Sequence, residues 1–137
     1  MTLKLSTTTK LFLVIIAFVV AVIGFMLKLP FAFRHYDKEL HAAFYFLAAG
    51  FLNILFANRN TLIHASIFIV LFVFGVCIEY AQEYSNKLLH KKIHGRFDIE
   101  DVQSNLKGLL AFSMLWLVYI VMAFLYQQVS SKKTSGS

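Results

Sequence analysis

Four long apolar runs dominate this chain: Leu11 to Leu27, Leu40 to Ala57, Thr61 to Tyr80 and Leu106 to Tyr126. A helix rises about 1.5 Å per residue, so even the shortest run reaches about 26 Å, close to the hydrocarbon thickness of a bilayer. The third run is rich in Phe, Ile and Val, residues that favour strands in water. Lipid offers an open backbone no hydrogen-bond partner, so such a run crosses as a helix. Charged residues are only 15% of the 137 and hydrophobic ones 59%, against about 25% charged in a soluble domain. The expected fold class is therefore an all-α integral membrane protein. Four transmembrane helices near 11–29, 38–57, 61–82 and 103–126 form one bundle, with a polar loop between helices 3 and 4. Residues 1–126 make a single transmembrane domain, and 127–137 read as a disordered polar tail.

The order of charges organises the rest. The turn Asn58-Arg59-Asn60 is short enough to make the helices on either side antiparallel neighbours. The first run is too long for a signal-peptide core and lacks a clear small-x-small cleavage site, so it reads as a retained helix that Pro30 helps to end. Four spans put both termini on one side and the connections 28–39 and 81–105 on the other. All seven acidic residues fall at that second face: Asp37, Glu39, Glu79, Glu83, Asp98, Glu100 and Asp101. His35, His41, His90 and His94 join them, while the terminal face holds Lys4, Lys10, Arg59, Lys132 and Lys133. The formal charge of +6 is accounted for by basic residues flanking spans, so no nucleic-acid partner is expected. The short basic N-terminus favours cytoplasmic termini, although the bare Lys and Arg count of the two faces favours the reverse.

The candidate site lies where the polar ends meet. Asp37, His41 and Tyr45 are spaced i, i+4, i+8 and share one face of helix two, with Lys38 beside them. Asp37 also suits a helix start, where a carboxylate complements the dipole. His41 lies inside the membrane boundary, where polar side chains turn inward and find partners. Glu79 sits at the polar end of helix three, and Gln82 at i+3 extends its face. Asp98 and Asp101 have the spacing of a capping box opening helix four, and Asn105 and Gly108 continue the same stripe. Asn105 can bond across helices, Gly108 permits close backbone approach, and Arg96 suits Glu79 or an anionic ligand. In a catalytic reading His41 and Glu79 are the acid–base pair and Asp101 orients one of them. Asp37, Lys38, Tyr45, Gln82, Arg96, Asp98, Asn105 and Gly108 would then bind. The chain has no phosphate-binding glycine loop and no nucleophile elbow. His41, Glu79, Asp98 and His94 can be drawn as a metal site, but none has paired ligand spacing, so no metal and no cofactor are expected. Lys87, Lys91 and Lys92 suit lipid headgroups, and His64 and Cys77 read as interior residues.

Taken together, these residues resemble the VanZ-like family of small bacterial membrane proteins. The elements that match are Asp37-Lys38-x-x-His41 with Tyr45, Glu79-x-x-Gln82, and Arg96 followed by Asp101-x-x-x-Asn105-x-x-Gly108. They span residues 37–112, in order, at three helix ends. The loop 83–94 is longer and richer in lysine than the family pattern, and Arg96 stands one residue closer to Asp101. The resemblance implies a four-helix bundle in the bacterial inner membrane and a link to reduced susceptibility to teicoplanin-type glycopeptides. It implies membrane lipid as surroundings and a lipid-linked envelope precursor or a glycopeptide as partner. It does not assign a reaction or an oligomeric state. The competing expectation is a non-catalytic interaction protein whose polar residues form a network closing the bundle.

Overall fold

The computed structural model describes residues 4–27, 30–90 and 96–135, and every regular element among these is helical. Helix α1 covers Thr7–Met26, α2 Asp37–Leu52, α3 Thr61–Leu88 and α4 Ile99–Ser135. A 3₁₀ turn, Phe31–Tyr36, leads into α2, and a π turn, Asn53–Ala57, prolongs it. Counting those turns with α2, all four helices are long and apolar enough to cross a membrane, which fits a multi-pass membrane protein.

Local chemistry explains the boundaries, and several differ from the sequence reading. α1 begins four residues earlier because the Ser6 hydroxyl accepts from the Thr9 amide at 3.1 Å, an N-cap. Asn60 caps α3 by accepting from the amides of Leu62 and Ile63, after a turn in which Asn58 takes φ 50°. α3 runs six residues beyond the expected end at 82. Those turns are polar, which reads as loop, yet they carry a Glu83–Lys87 pair at 3.3 Å with i,i+4 spacing. At 28 residues the helix is about 42 Å long, more than the hydrocarbon layer requires. The polar connection to α4 is correspondingly short. Residues 127–135, expected as a disordered tail, continue α4, and their side chains through Lys133 are exposed. Lys28, Lys91, Lys92 and His94 lie outside the described residues.

Side-chain contacts set the helix order. Phe25 packs on His41, Phe44 and Tyr45, and Phe18 on Phe74, so α1 runs antiparallel to α2 and along α3. Phe46 meets Phe112 while Lys38 meets Asp101, so α2 and α4 run parallel with α3 against both. α2 and α4 form the main interface. The interior cluster is Tyr45, Ala49, Ala57, Ile67, Leu71 and Leu109. Alongside it are buried polar residues, His41, Asn53, His64, Glu79, Asp101, Ser104 and Asn105, while Leu, Ile, Val and Phe crowd the outside. This inversion of the water-soluble pattern is what lipid surroundings favour.

Candidate functional site

Two glycines let three helix ends converge. A Cβ on Gly108 would stand 2.9 Å from the carbonyl carbon of Ala42, 3.1 Å from its Cα and nearer still to its oxygen. Only a bare Cα allows α4 to lie this close to α2. A Cβ on Gly75 would stand 2.7 Å from Asn105 Nδ2 and 3.0 Å from the Tyr45 hydroxyl, so the same freedom on α3 makes room for side chains from α2 and α4. The start of α2, the end of α3 and the start of α4 therefore share one level.

Lys38 ties α2 to α4. Its ammonium lies 3.1 Å from Asp98 Oδ2, 3.0 Å from Glu100 Oε2 and 3.1 Å from Asp101 Oδ1. Asp98 also caps α4, its Oδ1 accepting from the Glu100 amide at 2.8 Å. Burial pushes the Asp98 carboxyl up, but the Glu100 amide and the Lys38 ammonium outweigh it and hold it below the usual range. The expected capping box is only half formed. Asp101 turns away to Lys38 instead of back along its own helix.

His41, 6% exposed, is fixed from one side. Its Nδ1 lies 2.9 Å from Asn105 Oδ1, and since that oxygen only accepts, Nδ1 carries the proton. Nε2 then points between Asp37 Oδ1 at 3.9 Å and Asp101 Oδ2 at 4.0 Å, distances too long for hydrogen bonds. Glu79, 1% exposed, accepts on Oε2 from the Asp98 amide at 3.2 Å. Its Oε1 and the Tyr45 hydroxyl are buried with no hydrogen-bond partner among the described residues.

The structure thus gathers Asp37, Lys38, His41, Asp98, Asp101 and Asn105, with Glu79 joined through Asp98. His41, Glu79 and Asn105 face inward as expected. Tyr45 and Gly108 contribute packing on the same face. Gln82 is engaged elsewhere, its amide donating to the Phe25 carbonyl at 2.8 Å and so pinning α1. Three expectations need correction. Glu79 takes a backbone donor rather than the expected Arg96, because the amides opening α4 are unpaired within the helix and end beside it. Arg96 is exposed, on the connection before α4 rather than in the cluster. Cys77 is also exposed, since it lies on the α3 face away from Gly75 and Glu79.

Sequence reasoning missed Glu100, which i,i+1 spacing sets off the Asp98–Asp101 stripe but which reaches Lys38 across helices. It also missed a second polar group, in the other half of the molecule. Asn53 donates to the Ala49 carbonyl at 2.7 Å and accepts from His64 Nδ1 at 2.8 Å. His64 Nε2 lies 3.1 Å from the Ser113 hydroxyl, and the ring stacks on Trp116 at 4.1 Å. Lys10 closes that end by donating to the Leu55 carbonyl, which the π turn leaves open. A groove of about 640 Å³ lined by Cys77, Tyr80, Ala81, Glu83, Tyr84 and Lys87 runs along the outside of α3 and takes in none of the clustered residues.

Of the acidic and histidine groups, Asp37, His41 and Asp101 come together with donor atoms all within 4.8 Å of one another. This is not the set drawn from the sequence, part of which, His94, lies outside the described residues. Comparison with known proteins finds no matching family, no matching curated protein and no matching solved structure.

Proposed function

We propose that this chain is a VanZ-like protein of the bacterial inner membrane, a four-helix bundle with cytoplasmic termini. Its polar cluster binds or acts on cell-envelope material, a lipid-linked precursor or a glycopeptide, and contributes to tolerance of teicoplanin-type glycopeptides. The observation that carries this reading is a pair of buried atoms without a hydrogen-bond partner among the described residues, Glu79 Oε1 and the Tyr45 hydroxyl. A buried polar group left unpaired costs about 1–3 kcal/mol, a burden that a purely structural network has no reason to carry. In the catalytic form of the reading, His41 and Glu79 are the acid–base pair, Asp101 orients one of them, and Arg96, exposed on the connection before α4, holds an anionic group. The motif residues 37–112, in their order, supply the link to the family.

A second reading has its own support. Lys38 is saturated by three carboxylates and His41 by Asn105 on one side, as expected of a non-catalytic interaction protein whose polar residues close the bundle.

Substitution of Glu79 separates the two. Glu79→Gln keeps shape and one acceptor, so a site predicts lost glycopeptide tolerance and an unchanged melting temperature in detergent, in a host where the wild type confers tolerance. Glu79→Leu also folds under the site reading. Under the structural reading it destabilises, because the Asp98 amide loses its acceptor. Full tolerance in the Glu79→Gln strain sinks the site reading. A wild type that raises tolerance in no host removes its glycopeptide part.

A further inference from the structure

From the donor geometry at His41 we infer that Asp37, His41 and Asp101 form a binding site for a divalent transition-metal cation. The first ground is orientation. Asn105 Oδ1 holds the proton on Nδ1, which leaves the Nε2 lone pair facing Asp37 Oδ1 and Asp101 Oδ2 at 3.9 and 4.0 Å. A lone pair aimed at two carboxylates is repulsive unless a positive centre stands between them. A ring whose far nitrogen is tied to an amide oxygen is the usual arrangement of a ligating histidine.

The second ground is size. A proton on Nε2 needs an acceptor at about 2.7–3.2 Å, and neither oxygen is that close. Two metal–ligand bonds of about 2.0–2.2 Å span up to about 4.2 Å. With all three donors within 4.8 Å of one another, a cation at their centre lies no more than about 2.5 Å from each, so a shift of a few tenths of an ångström closes the site. One nitrogen and two carboxylate oxygens suit Zn²⁺ or Mn²⁺ better than Ca²⁺ or Mg²⁺, which prefer oxygen throughout.

The third ground is charge. Among the described residues Asp98, Glu100 and Asp101 share one ammonium, Lys38, and Asp37 adds a fourth carboxylate beside His41, so the group carries more negative than positive charge, and Asp101 carries its share while buried. Lys38 does not fill the site. It lies on Asp101 Oδ1, whereas Oδ2 is the oxygen turned toward His41. One carboxylate thereby serves the ammonium with one oxygen and the cation with the other. Glu79, held by the Asp98 amide, is not a ligand in this arrangement.

Direct metal binding tests the inference on the full-length protein in detergent, stripped with EDTA and dialysed against ZnCl₂ or MnCl₂. The wild type should retain one ion per chain, counted by mass spectrometry of the metal. His41→Gln and Asp37→Asn should each weaken binding at least tenfold. A variant with His35, His90 and His94 all changed to Gln should keep it, since the proposed ligand set includes none of them. Asp37 begins α2 with a half-exposed side chain, so Asp37→Asn decides the matter even if His41→Gln does not fold. Retention of neither metal overturns the inference, as does wild-type affinity in Asp37→Asn or loss of binding in the triple variant. The measurement uses no envelope ligand, so its failure leaves the proposed function standing; its success leaves envelope binding standing but excludes the catalytic form, since a bound cation occupies His41 Nε2.

Discussion

Replacing Gly108 with Ala adds one methyl group where α4 meets α2. That methyl would overlap the Ala42 carbonyl, with 2.9 Å to its carbon and 3.1 Å to the Ala42 Cα. Ordinary carbon contacts lie at about 3.5–4.0 Å, so the helices must part by roughly an ångström at this point. The obstacle is backbone, which no rotamer change can move aside. Overpacking typically costs about 1–3 kcal/mol, and parting the helices also stretches the His41–Asn105 and Lys38–Asp101 bonds, worth about 1 kcal/mol each. Alanine's better helix propensity returns about 1 kcal/mol, for a net loss of about 2–4 kcal/mol. Gly24→Ala is the matched control, since nothing lies within 4 Å of its Cβ position and only the propensity gain remains. Thermal unfolding in detergent, followed by circular dichroism and by the fluorescence of the single Trp116, reads both. The expected result is a clear drop for Gly108→Ala and no drop for Gly24→Ala. A Gly108→Ala protein melting at or above the wild-type temperature would refute close α2–α4 backbone packing as the element that assembles the site.

Three further expectations follow from the same geometry. Lys38→Met leaves the buried Asp101 without its cation and should destabilise by about 1–3 kcal/mol, at the lower end because Lys38 is partly exposed. Adding Asp101→Asn should recover part of the loss, and strictly additive effects in the double-mutant cycle would dismiss the pair. Asp98 is held below its ordinary value in the folded protein, so its contribution is present above the unfolded value of about 3.9 and disappears as pH falls through the folded one. Asp98→Asn should therefore flatten the acid limb of the melting profile, and a limb of unchanged slope counts against the Lys38 and Glu100 contacts. In a Cys77→Ser background, cysteines at positions 5 and 90 should label from opposite sides of the membrane, with position 90 outside, since three helices separate them. Labelling from the same side would remove one of those crossings.

Helix number, helix type and the inward set His41, Glu79 and Asn105 were legible in the chain alone. The reason is that lipid leaves the backbone one solution per apolar run and penalises every polar side chain that faces outward. The extent of the helices was less legible. Polarity normally marks a loop, but once α3 and α4 leave the apolar layer they continue on local bonds such as Glu83–Lys87. Pairings across helices could not be read at all. Spacing placed Asp98 and Asp101 in a capping box, and only the parallel packing of α2 on α4, permitted by Gly108, turns Asp101 toward Lys38 and His41. Spacing likewise offered Arg96 to Glu79, whereas the packed helices present the free amide that opens α4. The Asp37, His41 and Asp101 group has no signature in the sequence, because two of its donors share one turn and the third is some sixty residues away. Periodicity along one helix determines which side chains face inward; which of them meet depends on the register between helices, and that is decided where two backbones can touch.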